Sequence, residues 1–491
     1  MDYYKIPDIS SNSRTATFYD DDDQITKSSL SYLKEDDSQS IDNQIKCIYE
    51  SWNKQDFEKL YKKLCFFSDR ICHIDAKYIP DSITQFMEIL FTIISFFSNE
   101  NTCEDDQIIL DVCFKILTNI SFHSTLIPLI PQSMFDFCTS IFSKFSLLPN
   151  DDITLPSYSD CVIKILLNLT SCNDSCQGVK IRLTLDQIQR FYFNNCIDTS
   201  LKANCLEIFF NILKFSDIES NDFPISSVSN FVLNSINLIQ NKREVEFLLK
   251  TFTLLVQNDS MSHILMTNQV FSIFINNCLQ KPFLNKYLFN KKEITQIQII
   301  TLKIISMILN VDNYQFTFNV QAVVDLANDQ NDLNLILTAF ETLANFADSP
   351  EHVDLLLDCE ALKIIYMRME MGLIEMKEAS TKVLANIFFY LSNKAIDAMV
   401  ESDGVKWLTD KLFEIEEPNI IYVSLKGLYN FFTKIEGFSF KYNFDKIFNT
   451  SGLYDCLNHL QFQSDDQNVR DATLSLIEFF KNHFKNNPNN E

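Results

Sequence analysis

One short pattern recurs along this chain and limits what it can become. In Ala339-Phe340-Glu341-Thr342-Leu343-Ala344-Asn345, a small residue is followed four places on by a large apolar one and two further on by Asn. The same register returns as Cys113/Leu117/Asn119, Val162/Leu166/Asn168, Cys205/Phe209/Asn211, Ser380/Leu384/Asn386 and Ser424/Leu428/Asn430. Thr251/Leu255/Gln257, Thr301/Ile305/Met307 and Ala472/Leu476/Glu478 keep the first two positions and lose Asn. Residues i and i+4 lie on one helix face, so each copy is a helix whose small residue admits a neighbour and whose large residue fills a core. No such helix buries its stripe alone, and copies about 45 residues apart must stack as helical repeats.

Composition agrees. The chain has 491 residues, too many for one core, with 46% hydrophobic residues and 44 Phe but only 6 Gly and 11 Pro. Phosphate-binding loops and tight β-turns need more glycine than this. Polar breaks separate apolar-periodic stretches at roughly 10- to 18-residue intervals, an ordinary helix length. The expected class is therefore all-α.

The segments after the Asn copies refine the class. Ser349 to Leu362 and Lys394 to Leu408 each read as a short helix, a sharp turn and a second helix, and Ile447 to Leu453 closes similarly. Gly404 and Gly452 are expected at the reversals, where positive φ is needed. Three helices per unit with Leu-x-Asn on the third resembles the armadillo-repeat family, as in importin-α and β-catenin. The resemblance is specific over 332–460, degenerate over 108–308 and inferred over 43–101. It implies an armadillo-like right-handed α-solenoid of about nine or ten repeats over residues 43–485. Residues 44–66 and 81–98 are expected as helices capping one end, and 469–484 the other. Residues 1–42, with Asp20 to Asp23, read as a disordered acidic arm, and 486–491 as a disordered tail.

In that family the third helices line a concave groove, and the Asn side chains hydrogen-bond an extended peptide. By resemblance, Asn119, Asn168, Asn211, Asn345, Asn386 and Asn430 are peptide-binding candidates. Asn near a helix C-terminus can instead cap orphan carbonyls. Four residues earlier stand Lys115, Lys164, Glu207, Lys303, Glu341, Lys382 and Lys426, with Thr253 and Leu474 at two weaker copies. Importin-α-like proteins place Trp there to hold basic cargo. Here five of the nine are Lys and none is Trp, which suits an acidic or phosphorylated segment, unless the lysines are merely solvated. The acidic arm also contrasts with the basic arm of import adaptors, and it could fold back on the lysines.

The expected function is a non-catalytic scaffold that binds an extended segment of a partner protein, with an importin-α-like nuclear import adaptor as the alternative. Net charge -24 without a basic run disfavours nucleic acid. No apolar run approaches the roughly 20 residues that span a bilayer, and no signal peptide is visible, so a cytoplasmic or nuclear setting is expected. Most of the 14 Cys, including Cys113, Cys138, Cys205, Cys278 and Cys456, occupy helical-period positions as small hydrophobes. Cys172 and Cys176 form a lone Cys-x3-Cys, too few ligands for zinc. No nucleophile, phosphate-loop or metalloprotease motif occurs, so no cofactor, metal or small-molecule substrate is expected. Trp407 is expected in the core, and Trp52 at an end cap.

Overall fold

The computed structural model describes residues 36–71, 82–98, 104–123, 126–147, 155–173, 175–176, 179, 183–195, 197–220, 223–311, 316–438 and 441–486. The statements below concern these residues, among which there is no strand. The chain divides into two compact units, 1–134 and 135–491.

The first unit holds α1 (Asp36–Asn53), α2 (Phe57–Ile71), α3 (Ile83–Phe97), α4 (Glu104–Phe122) and a 3-10 turn, Ile127–Leu129. Helix α1 begins ahead of the expected boundary at residue 43, because Ile41, Ile45 and Ile48 form a buried stripe at i, i+4 and i+7. The single helix expected over 44–66 is two. The chain turns at Gln55, which adopts φ 53°, and Asp56 then accepts from the Lys59 amide at 3.2 Å to start α2. Helix α2 packs on α4, so it is the first member of the stack rather than a lid. Trp52 meets Phe57, Phe96 and Phe97 in an aromatic cluster at ring separations of 6.4, 5.4 and 6.3 Å. Residues 1–35 of the expected arm and 487–491 of the expected tail lie outside the described residues; Asn486 is the last residue of the final helix.

The second unit opens with α5 (Gln132–Ser146), α6 (Ser159–Thr170), α7 (Leu185–Phe193), α8 (Thr199–Lys214), α9 (Ile225–Ile236) and α10 (Lys242–Leu255). It continues with α11 (Asp259–Met266), α12 (Gln269–Cys278), α13 (Lys281–Lys286), α14 (Lys291–Leu309), α15 (Val320–Ala327) and α16 (Leu333–Phe346). It closes with α17 (Pro350–Asp358), α18 (Ala361–Met371), α19 (Ile374–Phe389), α20 (Asn393–Glu401), α21 (Gly404–Leu412), α22 (Pro418–Glu436), α23 (Phe444–Thr450), α24 (Leu453–Gln463) and α25 (Gln467–Asn486).

Helices α6, α8, α10, α14, α16, α19, α22 and α25 carry the recurring pattern, and each packs on the next. All nine small positions and all nine large ones are buried, from Cys113 and Leu117 through to Ala472 and Leu476. The last three repeats, α17–α19, α20–α22 and α23–α25, have the full short–second–long arrangement of an armadillo unit. The repeat α9–α10 has two helices, with turns over its described approach, residues 215–220 and 223–224.

Asn starts many of these helices. Asn241 and Asn290 form capping boxes with Glu244 and Glu293, and Thr184 forms one with Gln187. Asn258, Asn268, Asn319 and Asn443 each accept amides at the first turn of α11, α12, α15 and α23. The turn before each second helix is left-handed in the last three repeats, at Glu360 (φ 54°), Asp403 (φ 54°) and Gly452 (φ 69°). Gly452 thus does what was expected of it, but Gly404 does not. Asp403 makes the reversal, and Gly404 is small because an added Cβ would come within 2.8 Å of Met399 Sδ.

Candidate functional site

The six candidate Asn share a position but not a free side chain. Asn211 Nδ2 donates to Thr170 Oγ1 at 3.3 Å, Asn345 to Ser306 Oγ at 2.6 Å, Asn386 to the Ala344 carbonyl at 2.7 Å and Asn430 to the Phe389 carbonyl at 3.0 Å. In the first unit, Asn119 Nδ2 donates to the Ser68 carbonyl at 3.4 Å. The four bonds of the second unit each run from one pattern-bearing helix to the one before it, and the Asn119 bond runs from α4 to α2. The ladder is therefore a row of ties to an earlier helix, and three of them cap carbonyls in the last turn of that helix, Ser68 in α2, Ala344 in α16 and Phe389 in α19. Asn168 is half-buried and also engaged in an interaction. An amide has two donor hydrogens and an acceptor oxygen, and no hydrogen bond to Oδ1 of the five tied residues occurs among the described residues, so each keeps an acceptor for another group.

The lysines behave differently from one another. Lys164 pairs with Asp160 one turn earlier at 2.6 Å, and Lys115 lies 4.0 Å from Asp69. Lys426 rests over the Tyr422 ring, 5.6 Å from its centroid. Lys303 and Lys382 are exposed and make no ion pair among the described residues. Where the row carries Glu207, Arg243 of α10 answers it at 2.8 Å. Burial raises the Glu207 carboxyl above its usual range, and Arg243 opposes that rise. The row therefore presents free positive charge on α14 and α19, the exposed carboxylate of Glu341 on α16 between them with no ion pair among the described residues, a neutralised pair on α8, and aromatic or apolar side chains, Phe389, Tyr422, Tyr429 and Leu474, towards its C-terminal end.

The hydroxyls of Thr170 and Ser306 and the carbonyls of Ser68, Ala344 and Phe389 complete the ties, and sequence spacing did not single them out. Two share a register, since Ser306 follows Ile305 as Ala344 follows Leu343. The other acceptors shift along the helix, so no fixed spacing marks them.

Elsewhere, chemistry is sparse. Cys176 is buried with Sγ 3.8 Å from the Asn211 carbonyl, while Cys172 is half-exposed. Burial pushes the Cys138 and Cys456 thiols up to about 12, so neither is a thiolate at neutral pH. No group of three His, Cys, Asp or Glu placed to hold a metal occurs among the described residues. None of their helices is long and apolar enough to cross a membrane. Trp407 is not fully buried as expected of a core residue: it is half-buried, and its ring stacks on that of Tyr366 with centroids 5.1 Å apart, while Val405, Leu408 and Leu412 form the buried face of α21.

No protein-family model matches the chain, and no curated protein matches it. Among solved structures it is similar to an engineered protein, with 14% identity and a TM-score of 0.60 over 91% of this chain and 99% of that one. It is also similar to a designed armadillo repeat protein, with 16% identity and a TM-score of 0.39 over 50% of this chain and 97% of that one. With its buried nine-copy register and three-helix repeats, the chain has an all-α, armadillo-like repeat fold.

Proposed function

We propose that the protein is a non-catalytic interaction scaffold that holds an extended segment of a partner protein along the row of Asn and Lys side chains. The observation that carries this reading is the state of the row. Asn345, Asn386 and Asn430 are held in place by their ties to the preceding pattern-bearing helix, yet each retains an unused Oδ1 acceptor, while Lys303 and Lys382 project without a counter-ion among the described residues. Preorganised acceptors cost little entropy to use, and they suit the regularly spaced N–H groups of an extended backbone. Uncommitted cations in a chain of net charge -24 favour a local match to acidic or phosphorylated side chains.

The test is an anisotropy titration of the full chain with an acidic, a phosphorylated and a Lys/Arg-rich peptide at low and moderate salt. The acidic or phosphorylated peptide should bind and weaken with salt, and Lys303→Glu/Lys382→Glu should abolish the binding. Preference for the basic peptide, undiminished by that double substitution, would reject the reading in favour of an import-type adaptor.

A further inference from the structure

The second helices of the last three repeats end on large apolar side chains that their neighbours leave uncovered. Met371 ends α18 at 74% exposure, and Leu373 and Ile374 in the turn after it are 56% and 70% exposed. Phe413 follows α21 at 46%, and Phe462, near the end of α24, is 80% exposed. In α9, α12 and α15 the corresponding ends are Ile236, Cys278 and Ala327, none of them exposed. A single exposed Leu needs no explanation, but large apolar residues at the C-terminal ends of three successive second helices do.

These turns are neighbours in space. Lys377 Nζ, in the first turn of α19, lies 3.3 Å from Glu414 Oε2, just beyond α21. The Phe413 ring is 5.4 Å from that of His459, which precedes Phe462 by one helical turn. Beside Met371 is a cavity of ≈ 200 Å³ lined by Gln330, Met367, Arg368 and Met371. Arg368 donates through Nη2 to the Asp329 carbonyl at 2.6 Å, while its buried Nε has no hydrogen-bond partner.

Apart from Arg368 in the cavity wall, the unpaired charge around these turns is negative. Lys377 and Lys411 both pair with Glu414, so the nearby lysines are spent. Glu370, Glu375, Glu416 and Glu417 are exposed and form no ion pair among the described residues. The Glu378 carboxyl is raised above its usual range, first by burial and then by Glu417, Glu375 and Glu416.

We propose that the turns after α18, α21 and α24 form a docking ridge for a basic amphipathic segment of a partner protein. Its large apolar side chains pack on Met371, Phe413 and Phe462, one of them entering the cavity beside Met371, and its Lys or Arg side chains meet Glu375, Glu416 and Glu417. A second copy of this chain fits poorly, since it would bring the same carboxylates against themselves. The ridge lies at the ends of the second helices, apart from the Asn and Lys row, and does not depend on it.

An amphipathic Leu/Lys peptide tests this, titrated into the full chain by anisotropy beside Leu/Glu and Ser/Lys peptides of equal length. The Leu/Lys peptide should bind about tenfold tighter than either control. Met371→Ser/Phe413→Ser/Phe462→Ser and, separately, Glu416→Lys/Glu417→Lys should each weaken it about tenfold. Lys303→Glu/Lys382→Glu should leave it unchanged, which separates failure here from failure of the extended-segment reading. All these side chains are exposed, and an unchanged melting temperature will show that the fold is kept. The proposal is overturned if the triple variant binds like the parent, or if the Leu/Glu or Ser/Lys peptide binds equally well. It is also overturned if light scattering shows a dimer that Phe413→Ser dissociates.

Discussion

The repeats α7–α10 and the repeats α17–α25 stack pattern-bearing helices with the same period and different chemistry. In the earlier pair the contact is clasped by buried charge. Glu244 is fully buried, its Oε2 accepts from the Gln240 and Asn241 amides at 2.7 and 3.2 Å, and Tyr192 and Lys202 are buried nearby. Arg243 and Glu207 join α10 to α8. In the later repeats the helices approach over small residues instead. Ser380 and Ser424 are buried, and a Cβ on Gly427 would lie 2.9 Å from the Ala385 carbonyl oxygen. Aromatic rings then fill the volume, with Phe432 packed against Phe431, Phe444 and Phe480 at 5.4, 5.1 and 4.9 Å. A common repeat length therefore does not require a common way of closing the contact.

Substitutions can break this contrast, and the largest effect is expected in the later repeats. Phe432→Ala should cost about 3–5 kcal/mol through its cavity, read as a drop in the denaturation midpoint. Glu244→Ala strands two amides and should cost about 2–3 kcal/mol; a much smaller loss would mean that the clasp is incidental. Gly427→Ala pushes a methyl group into the backbone of α19 and should cost about 1–3 kcal/mol, whereas a stabilising outcome would show that the crossing can widen freely. Asn386→Ala loses one tie and should cost about 1 kcal/mol.

Acidification should separate the two regions by sign. Burial raises the Glu244 carboxyl above its ordinary 4.5, against the pull of the Gln240 and Asn241 amides. The folded chain therefore holds that proton more tightly than the unfolded one, and this contribution to stability grows as pH falls through its folded value towards the ordinary 4.5. Glu414 is lowered by its hydrogen bond to Lys411 and then by Lys377, and its contribution is lost as pH falls through its folded value. Relative to Glu244→Gln the parent should gain with acid, and relative to Glu414→Gln it should lose. Parallel melting curves across pH for both pairs would erase the distinction.

The stack was legible from sequence because i/i+4 burial is a local property: every small and large position of the register is buried. What failed depended on which partner each side chain meets, whether one turn away or a repeat away. Gly404 drew attention as the turn residue, but the strained backbone belongs to Asp403, and the glycine answers to Met399. The Asn ladder was visible as a row, but its ties required knowing what lies about 40 residues earlier on an adjacent helix. Lys164 and Lys303 look alike in sequence, yet an aspartate one turn earlier engages only the first. The uncovered Met371 and Phe462 sit where the apolar period stops, a signal easily passed over because exposed apolar residues are common singly.

The Asn ties also bear on how such a chain can be lengthened or shortened. Asn386 and Asn430 grip main-chain carbonyls, which every residue supplies, so these ties make no demand on the side chains of the preceding helix. Asn211 and Asn345 grip the hydroxyls of Thr170 and Ser306, which only a particular neighbour supplies. At the Asn tie alone, a C-terminal repeat can be duplicated without rewriting the residue it grips, whereas the two hydroxyl-bound ties are matched pairs that must be inherited together.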